Sequence, residues 1–236
     1  MKIIFLSFSD FKGGASQAAY SIFKSLNKKN SEFLTVYSKN NDTKEIFDLA
    51  KKIYIFLLRI IEKILLFLLS KKKYHQSLNL FNTFSQKQIS NHKADIISFH
   101  WINRSMLSLQ EVKKFKEKIV ISLHDMWFLN STEHYFEKKK SKENFLSRYC
   151  WKKKKEILYK NNTFFIAHNK WMYKKFNYLF PSLKNKIFLS EFYPINTKIF
   201  KPRNKKRLRK KYKIPKNKKI ILFSAQDFKD HRKGYV

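Results

Sequence analysis

Residues 1–16 read MKIIFLSFSDFKGGAS, and this stretch decides the fold. An apolar run of β-branched and aromatic residues from Ile3 to Phe8 carries no regular polar alternation. That is the pattern of a strand buried on both faces, as in a parallel sheet covered by helices. The run is too short for a signal peptide and meets Asp10 quickly. Gly13-Gly14 then makes a strand-to-helix turn, and a helical pattern opens at Ser16.

Working outward, the same alternation recurs along the chain. Candidate strands are 2–8, 33–37, 95–99, 118–123, 163–167, 186–189 and 219–225. Candidate helices are 16–27, 44–70, 77–91, 109–116, 142–160 and 170–180. Strands alternating with helices predict an α/β fold: a Rossmann-like parallel sheet with helices on both faces. In such sheets ligands bind beyond the carboxyl ends of the strands, where the strand order reverses. A boundary is expected between Tyr193 and Pro202, giving a first domain over 1–193 and a linker over 194–218. Residues 219–236 read as the first strand and loop of a truncated second Rossmann-like domain, because one strand cannot bury a core.

Residues 53–69 form a long apolar stretch interrupted by Arg59, Glu62 and Lys63. At about 100° per residue these charges share one narrow face, so 51–70 reads as an amphipathic helix. It fits a helix packed on the sheet, or an interfacial helix on anionic lipid aided by Lys51, Lys52 and Lys71 to Lys73. Mid-span charges count against a membrane-spanning helix.

The formal net charge of +35 favours anionic partners: phosphate, sugar nucleotide or anionic lipid. Only seven of the 52 basic residues are arginine, and lysine is spread along the chain rather than gathered in a stripe, which counts against nucleic acid. An abundance of Lys, Asn, Ile, Phe and Tyr with few Gly and Pro also matches an AT-rich coding bias. The single cysteine, Cys150, excludes an internal disulfide and any multi-cysteine metal site. With no signal peptide, it points to a cytoplasmic protein, peripheral on the membrane's inner face if 51–73 meets lipid. The sequons at 130–132 and 161–163 are then chance matches.

Three segments carry candidate chemistry. Gly13 and Gly14 open a helix directly after a strand, where free N–H groups and the helix dipole attract an anion. His100-Trp101-Ile102-Asn103 follows a strand, offering a flat indole for a sugar ring and two side chains for hydroxyls. Leu123-His124-Asp125-Met126-Trp127, continuing to Glu133-His134-Tyr135, follows the next strand and should share its crevice. No pair at zinc-ligand spacing accompanies these histidines, so no metal site is expected. His75, His92 and His168 read as structural.

In this order the segments resemble glycosyltransferase family 4, in the group that builds bacterial exopolysaccharide or surface polysaccharide. The resemblance takes in Gly13-Gly14-Ala15-Ser16, His100 to Asn103, His124 to Trp127 with His134-Tyr135, the downstream Pro194-Ile195-Asn196-Thr197-Lys198-Ile199-Phe200-Lys201-Pro202, and Arg232-Lys233-Gly234. It implies a GT-B architecture, two Rossmann-like domains facing a cleft, and retaining transfer from a nucleotide-diphosphate sugar to a glycan or lipid-linked acceptor without a metal cofactor. It also implies site roles: catalytic His124 and Asp125; donor-binding Gly13, Gly14, Arg232 and Lys233; acceptor-binding His100, Trp101, Asn103, Trp127, His134 and Tyr135. The chain departs from the family at Asn130-Ser131-Thr132-Glu133, where Thr-Gly-Gly-Cys is common, and at Asn196, where Asp is common. Gln226 and Asp227 lie where a diphosphate-binding Arg is usual. Two expectations follow: these 236 residues alone turn over no nucleotide-sugar, and the chain is either a fragment, remnant or frameshift product or a subunit whose remaining domain a separate polypeptide supplies. The competing reading is a basic, non-catalytic protein that binds a membrane surface or nucleic acid.

Overall fold

Seven parallel strands in the order β3-β2-β1-β4-β5-β6-β7 build the sheet. They are β1 (Ile3–Ser9), β2 (Ser31–Tyr37), β3 (Lys44–Glu45), β4 (Ile96–Phe99), β5 (Lys118–Leu123), β6 (Thr163–Ala167) and β7 (Ile187–Leu189). The computed structural model describes residues 1–26, 30–69, 75–135, 144–225 and 234. Helices α1 (Gly14–Ser25), α2 (Leu49–Leu69), α3 (Gln86–Ser90), α4 (Leu109–Lys114), α5 (Phe145–Leu158) and α6 (Lys170–Leu179) flank the sheet, and α7 (Lys205–Lys211) lies further along the chain. The architecture is α/β and Rossmann-like, as the alternating sequence pattern predicts.

Side-chain alternation along β1 and β2 separates two apolar layers. Phe5 and Phe33 pack with Ala19 and Phe23 of α1 on one face. Ile4, Leu6, Phe8, Leu34 and Val36 turn the other way into the main core. The order reverses between β1 and β4, because β2 lies on one side of β1 and β4 on the other. That switch point fixes where the loops after β1, β4 and β5 gather.

Three predicted elements differ from the structure. The span 44–70 is not one helix: Lys44 and Glu45 pair with Leu34 and Thr35 as an edge strand. The helix starts after Asp48, whose carboxylate accepts from the Lys51 amide at 2.8 Å. Of the predicted helix 77–91 only Gln86–Ser90 forms, closed by a capping box between Ser85 and Gln88. Upstream of it the backbone is used otherwise, since Ser77 N donates to Thr132 O, Leu78 N to Glu62 Oε1, and Asn79 takes φ 49°. Residues 219–225 form no strand, for they have no neighbouring strand to complete a ladder among the described residues.

The chain divides into two compact units, Met1–Pro194 and Ile195–Val236. Every element of the sheet belongs to the first. In the second, Asn204 caps α7 by accepting from the Arg207 amide, and the Arg209 guanidinium folds onto the carbonyls of Pro215, Lys216 and Lys218. Asn196 accepts from the Lys198 amide at 3.0 Å, a bond that an aspartate would also make. None of the second unit's described residues is buried.

Candidate functional site

Each strand end at the centre of the sheet delivers a polar side chain to the same edge. After β1, Ser9 Oγ accepts from the Phe11 and Lys12 amides and shapes the turn into α1. Gly13 there takes φ +95°, a conformation that side chains rarely adopt, with open space where a Cβ would stand. Asp10 is buried and ties this turn to the loop after β2, accepting from the Lys39 and Asn40 amides and from Thr43 Oγ1. Burial pushes its carboxyl up, but the Thr43 and Asn40 hydrogen bonds outweigh that and hold it below the ordinary value.

A row of rings crosses the ends of β4, β5 and β6. His100 Nδ1 lies 2.9 Å from His124 Nε2, and His100 Nε2 lies 3.2 Å from Ser98 Oγ. His124 stacks on His168 at 4.9 Å between centroids, and His168 stacks on Tyr193 at 4.6 Å. The Tyr193 hydroxyl lies 3.3 Å from His124 Nδ1. Each neighbouring pair in the series Tyr193–His124–His100–Ser98 shares one hydrogen, so the series is satisfied when both rings are neutral. It can run in either direction. Burial agrees: it lowers His100 well below the usual imidazole value, His124 to about 3 and His168 to about 4, with the adjacent histidines adding to the effect at His100 and His124. Burial also pushes the Tyr193 phenol up to about 12. Neither nitrogen of the buried His168 makes a hydrogen bond of acceptable geometry among the described residues.

Asp125 follows His124 in sequence and makes its contacts elsewhere. Its Oδ2 lies 2.6 Å from His134 Nδ1, and its Oδ1 accepts from the Trp127 amide at 2.9 Å. Burial pushes this carboxyl up, but His134 and the amide overcome the effect and hold it ionised. His134 Nε2 in turn lies 3.0 Å from Ser77 Oγ. The series Asp125–His134–Ser77 has the connectivity of a nucleophilic triad. Ser77 is only 3% exposed, however, and its backbone carbonyl accepts from Trp127 Nε1. The series therefore orients Asp125 and offers no open nucleophile.

Trp127 is 2% exposed, with Lys154 Nζ 3.7 Å from the centroid of its ring. Lys154 is fully buried and donates to the carbonyls of Trp127, Asn130 and Ser131. Burial drives its pKa well below the usual lysine range. This clamp fixes the loop that departs from the family pattern.

A small depression of about 10 Å³, room for about one water molecule, is lined by residues 100–103 and 122–125 with Trp127 and Phe128. The structure thus brings His100, Trp101, Asn103, His124, Asp125 and Trp127 together. His134 lies behind Asp125, and Tyr135, 37% exposed, does not line the pocket. Asn103 lines it but is 2% exposed, beside Asn79. Arg232 and Lys233 lie outside the described residues, so their donor-binding assignment has no geometry here. Among the described residues no group of three or more His, Cys, Asp or Glu side chains could hold a metal ion.

Several residues near the site carry no functional sequence prediction, and His168 reads from sequence as structural. His168 and Tyr193 join the ring row; His168 could have been found by asking for the residue after each strand, whereas nothing marks Tyr193. Arg59 and Arg104 both lie over the Phe8 ring, at 5.9 and 5.3 Å, and Arg104 also lies over Trp101 at 5.0 Å. Arg104 and Ser105 both take left-handed φ, 60° and 58°, which costs side-chain-bearing residues about 1–3 kcal/mol each. Glu62 Oε2, accepting from Ser105 Oγ at 3.0 Å, helps hold that turn. No family model matches the chain, and no curated protein matches it.

Proposed function

We propose that residues 1–194 form the acceptor-side domain of a retaining, nucleotide-sugar-dependent glycosyltransferase of the family 4 type, with GT-B architecture, acting in the synthesis of a cell-surface glycan. The observation that carries the reading is the row of neutral imidazoles beside an ionised Asp125 at the strand ends. In glycosyl transfer the bond from the anomeric carbon to the diphosphate oxygen breaks, and a bond to an acceptor hydroxyl oxygen forms as that hydroxyl passes its proton to the departing diphosphate. Positive charge develops on the sugar, so a protonated histidine beside it would oppose the reaction. Burial keeps His124 uncharged, able to exchange hydrogen bonds with sugar hydroxyls. A fixed carboxylate at Asp125 favours the developing charge.

Both nitrogens of His124 are engaged, so a ligand hydroxyl at Nδ1 takes the place of the long Tyr193 contact. Trp101 offers an indole face, and His100 and Asn103 complete the acceptor wall. His134 acts through Asp125, and Trp127 supports the pocket from below. By resemblance, Gly13, Gly14, Arg232 and Lys233 receive the donor diphosphate, and no metal takes part.

Saturation-transfer NMR of the purified chain with a panel of glycan acceptors tests the reading. We expect glycan signals that vanish in His124→Ala and strengthen in Tyr193→Phe, which frees Nδ1. Glycan binding that both substitutions leave unchanged would put the site elsewhere.

A further inference from the structure

Helix α2 turns Glu62 and Arg59 inward together with a few aliphatic side chains. Ile55, Leu58 and Glu62 are its buried residues, with Arg59, Leu65 and Leu66 half-buried beside them. Glu62 is 5% exposed and accepts from the Leu78 amide and the Ser105 hydroxyl, while Arg59 lies over Phe8. These contacts fix the rotation of the helix about its axis. The opposite half, an arc of about 180° at 100° per residue, points to solvent. Ten large apolar side chains occupy it, among them Ile53, Phe56, Leu57, Ile60, Ile64 and Phe67, and Phe67 is 84% exposed. A helix that only covers a sheet would turn this arc inward.

The charges around the arc identify what covers it. Glu62 is the sole acid in α2 and is buried, so the exposed face carries none. Lys63 borders the arc and Lys71, Lys72 and Lys73 follow in sequence, whereas Lys51 and Lys52 are half-buried on the inward side, Lys52 paired with Glu45. A second copy of the chain would bring its own charge of +35 to the contact, whereas an anionic surface is attracted by it. No helix among the described residues is long and apolar enough to cross a membrane. We propose that the outward face of α2 is a membrane-docking surface. It lies in the plane of an anionic bilayer with its apolar arc among the upper acyl chains and Lys63, at the border of the arc, on lipid headgroups. Interfacial helices usually keep their polar face in water; here that face is used to bind the rest of the domain. The proposal does not depend on the glycosyl-transfer reading.

Vesicle co-sedimentation of the full chain tests it. The unchanged chain should bind vesicles containing about a third phosphatidylglycerol at least tenfold more tightly than pure phosphatidylcholine, and bind less as salt rises. Ile60→Glu with Ile64→Glu, both on the exposed arc, should lower binding more than tenfold while thermal unfolding stays as before. As a second measure, Phe67→Trp should show blue-shifted emission on anionic vesicles. Equal binding by the double variant, or equal binding to neutral vesicles, contradicts the proposal. A concentration-dependent dimer that the double variant dissolves, without vesicle binding, assigns the face to a second copy and also overturns it.

Discussion

His124 ends β5 with one nitrogen on His100, the other near Tyr193, and a stacked His168 against its face. Such a ring takes up a proton in the unfolded chain near its ordinary value of about 6.5, but in the folded chain only near 3. Between those values the unfolded state binds more protons, so stability is fully present above pH 6.5 and is lost as pH falls toward 3. For His124 the loss between pH 7 and 5 is of the order of 2 kcal/mol. Urea midpoints should therefore drop over that interval, and drop less in His124→Gln, which has no proton to gain; identical pH dependence would contradict the buried neutral ring. The interval lies above the range where Asp10, Glu32 and Asp125 titrate, which separates the two effects. His100, His124 and Asp125 were legible in the sequence because they directly follow strands. His168 follows a strand too, but no motif surrounds it to mark it as more than structural.

At the scale of elements, α2 shows how far periodicity reaches. The spacing of Arg59, Glu62 and Lys63 marks a helix with two unlike faces, yet it carries no information on which face meets the protein. That choice rests on distant partners, the Leu78 amide and the Ser105 hydroxyl, which become neighbours only in the folded chain. Substitutions separate the two orientations. Glu62→Ala leaves the buried Leu78 amide without its acceptor and should cost about 1–3 kcal/mol. Ile64→Ser, on the outward face, should change stability by no more than about 0.5 kcal/mol. Chemical denaturation checks both, and a reversed ranking would restore the ordinary orientation. The segment 77–85 departs from its predicted helix for a related reason: the Ser77 and Leu78 amides are committed to Thr132 and Glu62, again distant in sequence.

For the whole molecule, the parallel sheet was legible from its first sixteen residues, since a strand apolar on both sides has few other places to go. The strand order was not, because it depends on which neighbour each strand finds. The seven-stranded order puts the reversal between β1 and β4, so the Gly13 turn and the His100 loop stand on either side of it, and His124 comes next. Sugar transfer in this crevice is the proposed function. The most direct measurement is incorporation of labelled sugar from nucleotide-diphosphate sugars into glycan by membranes of the producing cell, comparing the unchanged chain with His124→Ala. Loss of at least about 100-fold for one donor, with the variant still folded, is the predicted result. Unchanged incorporation from every donor would contradict it.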